Sequence, residues 1–71
     1  MSRISIIGAT GMVGQDIARE AVKRGHEVIG TNRSGDVTDP IAGVTYRALE
    51  INDTEAIMKL AEESDVLVFS V

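Results

Sequence analysis

Three glycines spaced three residues apart, Gly8, Gly11 and Gly14, lie between an apolar run at 4–7 and an amphipathic segment at 12–24. Glycines between a strand and a helix are typical of a loop that binds phosphate groups. Gly8 permits a tight turn off the strand, Gly11 lets a pyrophosphate approach the backbone, and Gly14 lets the helix pack closely on the sheet. A strand-to-helix turn without a ligand is the alternative interpretation.

The same loop supplies donors for a phosphate. At the start of a helix the N–H groups of Met12 and Val13 have no partner within the helix, and the positive helix end favours an anion there. Thr10 adds a hydroxyl group at the same turn. We therefore predict that Thr10, Met12 and Val13 bind phosphate together with the three glycines.

The segment after the second predicted strand indicates which dinucleotide such a loop would hold. A site selective for NAD places Asp or Glu there, about 20 residues beyond the glycines, to bind the ribose 2′-hydroxyl. Residues 31–34 read Thr-Asn-Arg-Ser, and no acid follows before Asp36. Arg33, with Ser34 and Thr10, would instead bind a 2′-phosphate, so the sequence favours NADP over NAD. A solvent-exposed loop arginine is the alternative.

The elements that must position these residues alternate between strands and helices. Short runs rich in apolar residues predict strands at 4–7, 26–31 and 66–71, and an alternating pattern predicts a strand at 44–49. A 3.6-residue period predicts helices at 12–24 and 54–63. The segment at 32–43 is rich in turn residues, with at most one helical turn near 39–40. Strands without polar alternation, separated by helices, indicate a parallel sheet covered on both faces. Right-handed crossovers then predict the spatial order 3-2-1-4, a Rossmann-type doubly wound α/β fold.

Local signals define the helix ends and their inner faces. Gly25 is expected to end the first helix, and Asn52 or Asp53 to cap the second. In the first helix, the apolar face is expected to contain Val13, Ile17 and Ala21, with Ala18 and Val22 beside them. In the second, Ile57, Leu60 and Ala61 are expected to face the core.

Residues 6–14, Ile-Ile-Gly-Ala-Thr-Gly-Met-Val-Gly, resemble the opening of NAD(P)-binding proteins of the atypical short-chain dehydrogenase group, particularly the NmrA-like NAD(P)H-binding members. Residues 24–28, Arg-Gly-His-Glu-Val, are similar to the segment that leads into the second strand of that family. The resemblance covers essentially the whole chain. It implies that residues 1–71 are the N-terminal part of a single NAD(P)-binding Rossmann domain.

The resemblance also implies contacts to the adenine. Residues 50–53 stand where similar proteins have D-x-x-D, whose first acid meets the adenine amino group. Glu50 replaces that acid, and Ile51 would be an apolar neighbour of the adenine ring. Ser70 and Val71 end the predicted fourth strand, whose carboxyl end borders the nucleotide crevice.

The sequence predicts neither a catalytic residue nor a metal site within the 71 residues. Short-chain dehydrogenases use a Tyr-x-x-x-Lys pair, whereas the single tyrosine, Tyr46, lies in the predicted third strand and is followed four residues later by Glu50. We expect Tyr46 to be a structural residue of the sheet. The single histidine, His26, follows a helix end and is expected at the surface. With no Cys, a thiolate metal site or a disulfide framework is excluded.

Length and composition narrow the class of protein further. A chain of 71 residues allows one small domain. Its net charge of −4 argues against nonspecific binding of nucleic acid. No apolar run approaches the roughly 18 residues of a membrane span, and no signal peptide is present, so we expect a cytoplasmic protein.

The position of the last predicted strand bears on domain organisation. The chain stops within or at the end of this apolar strand, so we expect a piece of a longer protein. A small domain that forms a homo-oligomer through the unpaired strand edge is the alternative.

Two functions remain open from the sequence. The first is binding of NAD(P)(H) within an NAD(P)-dependent oxidoreductase or epimerase-like enzyme. The second is a non-enzymatic, NmrA-like sensor that binds NADP(H) and reports its redox state to a regulatory partner. A downstream Tyr-x-x-x-Lys pair would favour the enzyme. A methyltransferase that binds S-adenosylmethionine is less consistent with the glycine spacing and Arg33.

Overall fold

The computed structural model describes residues 2–70 and places four parallel strands in one sheet with two helices. The elements are β1 (Arg3–Ile7), α1 (Met12–Lys23), β2 (Glu27–Asn32), β3 (Val44–Ala48), α2 (Thr54–Glu63) and β4 (Val66–Phe69). All three strand pairings are parallel, and the spatial order is β3-β2-β1-β4. The predicted Rossmann-type α/β fold with strand order 3-2-1-4 is therefore confirmed. The prediction for Val71 lies outside the described residues.

The two central strands are buried on both faces because one helix covers each face. On the first face Ile6 and Val28 pack with Ala18 of α1. On the second face Ile7 and Ile29 pack with Leu60 of α2. This explains why neither strand alternates apolar and polar residues.

The inner face of α1 contains the predicted Ala18 and Ala21 but not Val13. Gly14, Ala18 and Ala21 are the buried residues of the helix, whereas Val13 is 64% exposed. The prediction that Val13 faces the core was wrong, because a closer approach to the loop is possible at the glycine. In α2 Leu60 is buried as expected, but Ala61 is exposed, contrary to the prediction.

The helix ends follow local chemistry. Gly25 has φ +83° and follows the last turn of α1, with hydrogen bonds from its N–H to the carbonyl of Val22 (2.9 Å) and from His26 N–H to that of Ala21 (3.1 Å). These two bonds satisfy carbonyls that a helix end leaves free. Asp53 caps α2 by accepting a 3.0 Å hydrogen bond from the N–H of Ala56. Both predicted helix boundaries are confirmed.

The connection between β2 and β3 contains no helix within the described chain, and the turn expected near 39–40 is not helical. Its beginning is held by Asn32, whose Oδ1 accepts from Gly35 N–H (2.6 Å) and whose Nδ2 donates to the carbonyl of Asp36 (2.7 Å). Side-chain bonds of this kind replace the backbone bonds that a helix would provide.

Gly14 allows the first turn of α1 to lie against the loop that precedes it. A Cβ at this position would stand 2.4 Å from the carbonyl oxygen of Gly8 and 3.0 Å from Cα of Ala9. Both neighbours are backbone atoms, which cannot move aside as a flexible side chain would. The fold itself therefore requires glycine at position 14.

We predict that Gly14→Ala destabilises the chain. Overpacking of this kind costs about 1–3 kcal/mol, which exceeds the ~1 kcal/mol gained when alanine replaces a helical glycine. Urea unfolding followed by circular dichroism measures the difference. Gly11→Ala is the matched control, because the nearest atom to a Cβ there is 3.7 Å away. Equal stabilities for the two variants would contradict the assigned contact.

The outer edge of β4 should make the chain on its own associate in dilute solution. Among residues 2–70 this strand pairs only with β1, and Val66 and Phe69 are 47% and 55% exposed. An unpaired apolar edge is a template for pairing with another chain. Sedimentation velocity at micromolar concentration should show dimers or larger species, and Phe69→Lys should reduce them. A monodisperse monomer that unfolds cooperatively would refute this expectation.

Candidate functional site

The glycine loop is fixed to the end of β2 by one carbonyl group. The carbonyl oxygen of Thr31 accepts hydrogen bonds from the N–H groups of both Gly8 and Ala9, each 3.0 Å long. Gly8 has φ +87°, a conformation that glycine adopts readily. The side chain of Thr31 is fully buried and donates to the carbonyl of Ile6 (3.2 Å). The loop is thus held at the carboxyl edge of the sheet from two sides.

The start of α1 leaves backbone donors free. Gly11 is the N-cap, with extended backbone angles (φ −71°, ψ 164°) and no side-chain cap. Within residues 2–70 the N–H groups of Met12, Val13 and Gly14 donate to no protein acceptor. The first turn carries no acidic side chain, so the positive end of the helix is not compensated. This arrangement suits an anion.

Gly11 differs from Gly14 in what surrounds it. A Cβ at Gly11 would meet the carbonyl oxygen of Gly8 at 3.7 Å, an ordinary van der Waals distance. Its φ is negative and available to every residue. The described protein has room for a side chain at this position.

A cavity of about 250 Å³ opens beside the loop, between the carboxyl ends of β2 and β3; we refer to it as the β2–β3 cavity. It is lined by Ile7, Gly8, Thr10, Thr31, Asn32, Arg33, Leu49, Glu50 and Ile51. Five predicted site residues, from three separate chain segments, therefore meet here: Gly8, Thr10, Arg33, Glu50 and Ile51. Ile51 is 42% exposed and gives the cavity an apolar wall.

Arg33 and Glu50 form an ion pair at this cavity, with 3.3 Å between Nε and Oε2. Their side chains are 82% and 44% exposed, so solvent screens the pair. Sequence reasoning assigned the two residues to different parts of a ligand and missed the pair. The signal was present in the strand order, because β2 and β3 are neighbours and each charged residue stands just beyond a strand end.

A second cavity, of about 400 Å³, lies between the start of α1 and the end of β4; we refer to it as the β4 cavity. It is lined by Gly11, Met12, Val13, Phe69 and Ser70. Ser70 is held there by a 2.8 Å hydrogen bond from its N–H to the carbonyl of Ile7. Met12 and Val13, whose N–H groups are free, thus line the β4 cavity.

Two predicted site residues do not line either cavity. Gly14 is buried under the loop and acts through packing. Ser34 lies on the exposed β2–β3 connection, where its hydroxyl oxygen accepts from the N–H of Asp36 (3.1 Å). The structure does not bring Ser34 to Thr10 and Arg33. A further polar cavity of about 380 Å³ adjoins Thr10 and contains Asp36 and Asp39, two acids to which the sequence analysis gave no role.

Tyr46 and His26 lie away from the two cavities. The Tyr46 hydroxyl accepts a 3.0 Å hydrogen bond from the N–H of Ile41, and its ring would lie 3.1 Å from a Cβ at Gly30. This is a structural role in the sheet, as predicted. His26 precedes β2, at the opposite edge of the sheet, and its Nδ1 accepts from the N–H of Ser2 (3.2 Å).

The pKa shifts of the structure also lie outside the cavities just described. Arg47 of β3 donates two hydrogen bonds, of 3.1 and 3.2 Å, to the carboxylate of Glu63 at the end of α2. This contact lowers the pKa of Glu63 and raises that of Arg47. It joins two elements of the fold and supplies no acid or base to the site.

Other kinds of site were sought in the same range. Among residues 2–70 no three His, Cys, Asp or Glu side chains are grouped so as to hold a metal ion. Neither described helix has the length and apolar character needed to cross a membrane.

Known proteins resemble this chain in sequence and in structure. The isoflavone reductase homolog P3 of Arabidopsis thaliana is 28% identical over 99% of this chain and 26% of its own length. A candidate exported protein of Burkholderia pseudomallei is 35% identical, with a TM-score of 0.81 over 100% of this chain and 32% of that protein. The Bordetella bronchiseptica enzyme WbmH, solved with NAD+, is 22% identical, with a TM-score of 0.79 over 100% of this chain and 26% of its own, and shows the same fold.

These matches fix the family and the extent of the likeness. The chain spans about a quarter (26%) of the length of the curated relative from Arabidopsis. The cytoplasmic location stays a prediction.

The sequence model of the NAD dependent epimerase/dehydratase family matches residues 4–70, nearly the whole chain. The resemblance to NAD(P)-binding short-chain dehydrogenase-like proteins is thereby confirmed, and the chain belongs to the NAD dependent epimerase/dehydratase family.

Proposed function

We propose that this chain holds the AMP half and the pyrophosphate of a nicotinamide dinucleotide, and that it favours NADP. Family membership supports a nicotinamide cofactor, because the matched family is described as NAD dependent. The carboxyl edge of the sheet supports the location, because ligands of doubly wound α/β folds bind where the strand order reverses. Here that point lies between β1 and β4, next to the glycine loop.

One observation carries the proposal: position 11 is a glycine although the fold has room for a side chain there. Gly8 is explained by its positive φ and Gly14 by its contact with the Gly8 carbonyl. No contact among residues 2–70 explains Gly11 in this way. A ligand that lies against the backbone explains it, because a Cβ would occupy the space that the phosphates need.

Different residues are assigned to the different parts of the ligand. Gly8, Gly11 and the N–H groups of Met12 and Val13 bind the pyrophosphate, with Gly14 keeping the helix close to the loop. Arg33 and the Thr10 hydroxyl meet the 2′-phosphate. Glu50 and Ile51 lie beside the adenosine, and Ser70 borders the route toward the nicotinamide. For Ser34 to bind the 2′-phosphate, as the sequence predicts, its hydroxyl would have to give up the hydrogen bond from the N–H of Asp36.

The activity of the whole protein is an NAD(P)-dependent oxidoreductase or epimerase-like reaction. The family and the reductase-type relative support an enzyme over a redox sensor. A bound nicotinamide cofactor supplies hydride transfer. The described residues bind and orient that cofactor, and none of them is assigned to the chemical step.

The first test of this function is substitution of Gly11. Gly11→Ala should weaken the binding of NADP by about 5- to 150-fold, which is equivalent to the cost of about 1–3 kcal/mol for a misplaced methyl group. Gly11→Val should abolish detectable binding. Isothermal titration calorimetry on the full protein measures both affinities.

Unfolding measured on the same samples serves as the control, since a misfolded variant would also fail to bind. Because a Cβ at position 11 has room, the midpoint of unfolding should remain close to that of the parent. A folded Gly11→Val variant that binds NADP like the parent would refute the assignment of the loop.

The second test is substitution of Arg33, which sets the preference between the two cofactors. A hydrogen bond to a charged group is worth about 1.5–3 kcal/mol, and the 82% exposure of this side chain places the effect at the lower end. Arg33→Ala should therefore weaken the binding of NADP by about 10-fold and leave the binding of NAD nearly unchanged. Both affinities are measured at one salt concentration, because salt screens exposed contacts.

The control is Arg24→Ala, which removes another exposed arginine, directly after α1, that pairs with Glu20 and lines neither the β2–β3 cavity nor the β4 cavity. It should change neither affinity. Equal losses for NAD and NADP in Arg33→Ala would show that Arg33 acts on a part common to both. No loss for either would make Arg33 a surface residue and would remove the preference for NADP.

A further inference from the structure

Glu50 pairs with Arg33, the residue assigned above to the 2′-phosphate. It follows β3, whereas the carboxylate of many NAD sites follows the second strand. We propose that Glu50 is a specificity-determining residue that holds Arg33 and so weakens NADP binding relative to NAD. The inference rests on the proposed dinucleotide site. It predicts that the affinities for NAD and NADP differ less than they would if Arg33 acted without Glu50.

The backbone brings the two charged side chains together. The last residue of β2, Asn32, is in register with Ala48 of β3. Beyond that point the N–H of Leu49 donates a 2.7 Å hydrogen bond to the carbonyl of Asn32. Arg33 and Glu50 are the residues that directly follow these two bonded positions. Their 3.3 Å contact therefore follows from the sheet register.

The loop that carries Arg33 is also fixed on its other side. The side chain of Asn32 bonds to Gly35 and to Asp36, with lengths of 2.6 and 2.7 Å. The backbone around Arg33 is thus held by a main-chain bond on one side and an Asn turn on the other. The guanidinium keeps Glu50 within reach for as long as the sheet is formed.

The two cofactors make different demands on this pair. A 2′-phosphate needs the guanidinium as its counter-charge, and Glu50 competes with the phosphate for that guanidinium. NAD carries a 2′-hydroxyl, which can donate a hydrogen bond to a carboxylate. In many NAD sites that carboxylate comes from the end of the second strand. Residues 31–33 contain no acid, and Glu50 lines the same cavity from the end of the third.

The size of the effect is bounded by exposure. An ion pair as exposed as this one changes an equilibrium by about 5-fold at most. The effect should decrease as the salt concentration rises, because the pairing is electrostatic.

The test compares the ratio of the NAD and NADP dissociation constants in the parent protein and in Glu50→Gln. The amide has nearly the same shape as the carboxylate without its charge, and contacts common to both cofactors cancel in the ratio. Glu50→Gln should shift the ratio toward NADP by more than about 2-fold and by at most about 5-fold. Glu62→Gln, an exposed acid near the opposite end of α2, removes the same charge away from the cavity and should leave the ratio unchanged.

A double variant separates action through Arg33 from direct repulsion. In an Arg33→Ala background, Glu50→Gln should shift the ratio by less than about 2-fold, because the pair is already absent. A full shift in that background would overturn the proposed mechanism, and no shift in the single variant would overturn the role of Glu50. In both cases the parent would still bind the cofactors, so the proposed function would stand. Failure of the folded parent to bind either cofactor would overturn the function and this inference together.

Discussion

The hydrogen bonds from Gly8 and Ala9 to the Thr31 carbonyl are the contact on which the site depends. They tie the loop after β1 to the end of β2, so that the loop cannot change its course without breaking two bonds at the sheet edge. The Thr31 hydroxyl, buried and bonded to the carbonyl of Ile6, fixes the same residue from the other direction. The start of α1 and the loop that carries Arg33 are positioned relative to each other by this contact.

The packing of α1 completes this arrangement with small residues. Gly14, Ala18 and Ala21 form the buried face of the helix, and each lets the helix axis lie close to the layer beneath it. Because Gly14 meets the Gly8 carbonyl directly, the first turn of the helix cannot move away from the loop without losing van der Waals contact. The free N–H groups at that turn consequently stay at the edge of the sheet, where Met12 and Val13 line the β4 cavity. A larger inner face would have moved them outward.

Much of this architecture could be predicted from the sequence because its signals are local or topological. Apolar runs and turn residues give the order of elements, and right-handed crossovers give the order of strands. Asp53 and Gly25 mark helix ends through chemistry within a few residues. The exposure of Val13 could not be predicted, because Val13 stands four residues before Ile17 and so continues the apolar pattern of the helix. The close approach of Gly14 to the Gly8 carbonyl orients the first turn and leaves Val13 exposed.

The candidate site could be predicted in its backbone part and less well in its side-chain part. The glycine spacing anticipates the loop and its free donors, since these depend on main-chain geometry. Ser34 was assigned from its neighbour in the sequence, whereas its hydroxyl bonds to Asp36. The pairing of Arg33 with Glu50 depends on the register of β2 and β3, which links residues 17 positions apart in the chain. Sequence reasoning about single residues has no access to such a pair until the strand order is applied to it.

In the proposed function, holding a dinucleotide and choosing between two of them are assigned to different residues. The proposed pyrophosphate contacts come from backbone N–H groups and from Gly8 and Gly11, so a change there is expected to affect both cofactors alike. The proposed preference is assigned to Arg33 and Glu50, two exposed side chains at the ends of neighbouring strands that the core does not hold in place. Because each can be replaced without creating a cavity or an unsatisfied buried group, substitutions at these two positions are expected to change the cofactor preference while the fold and the loop stay intact.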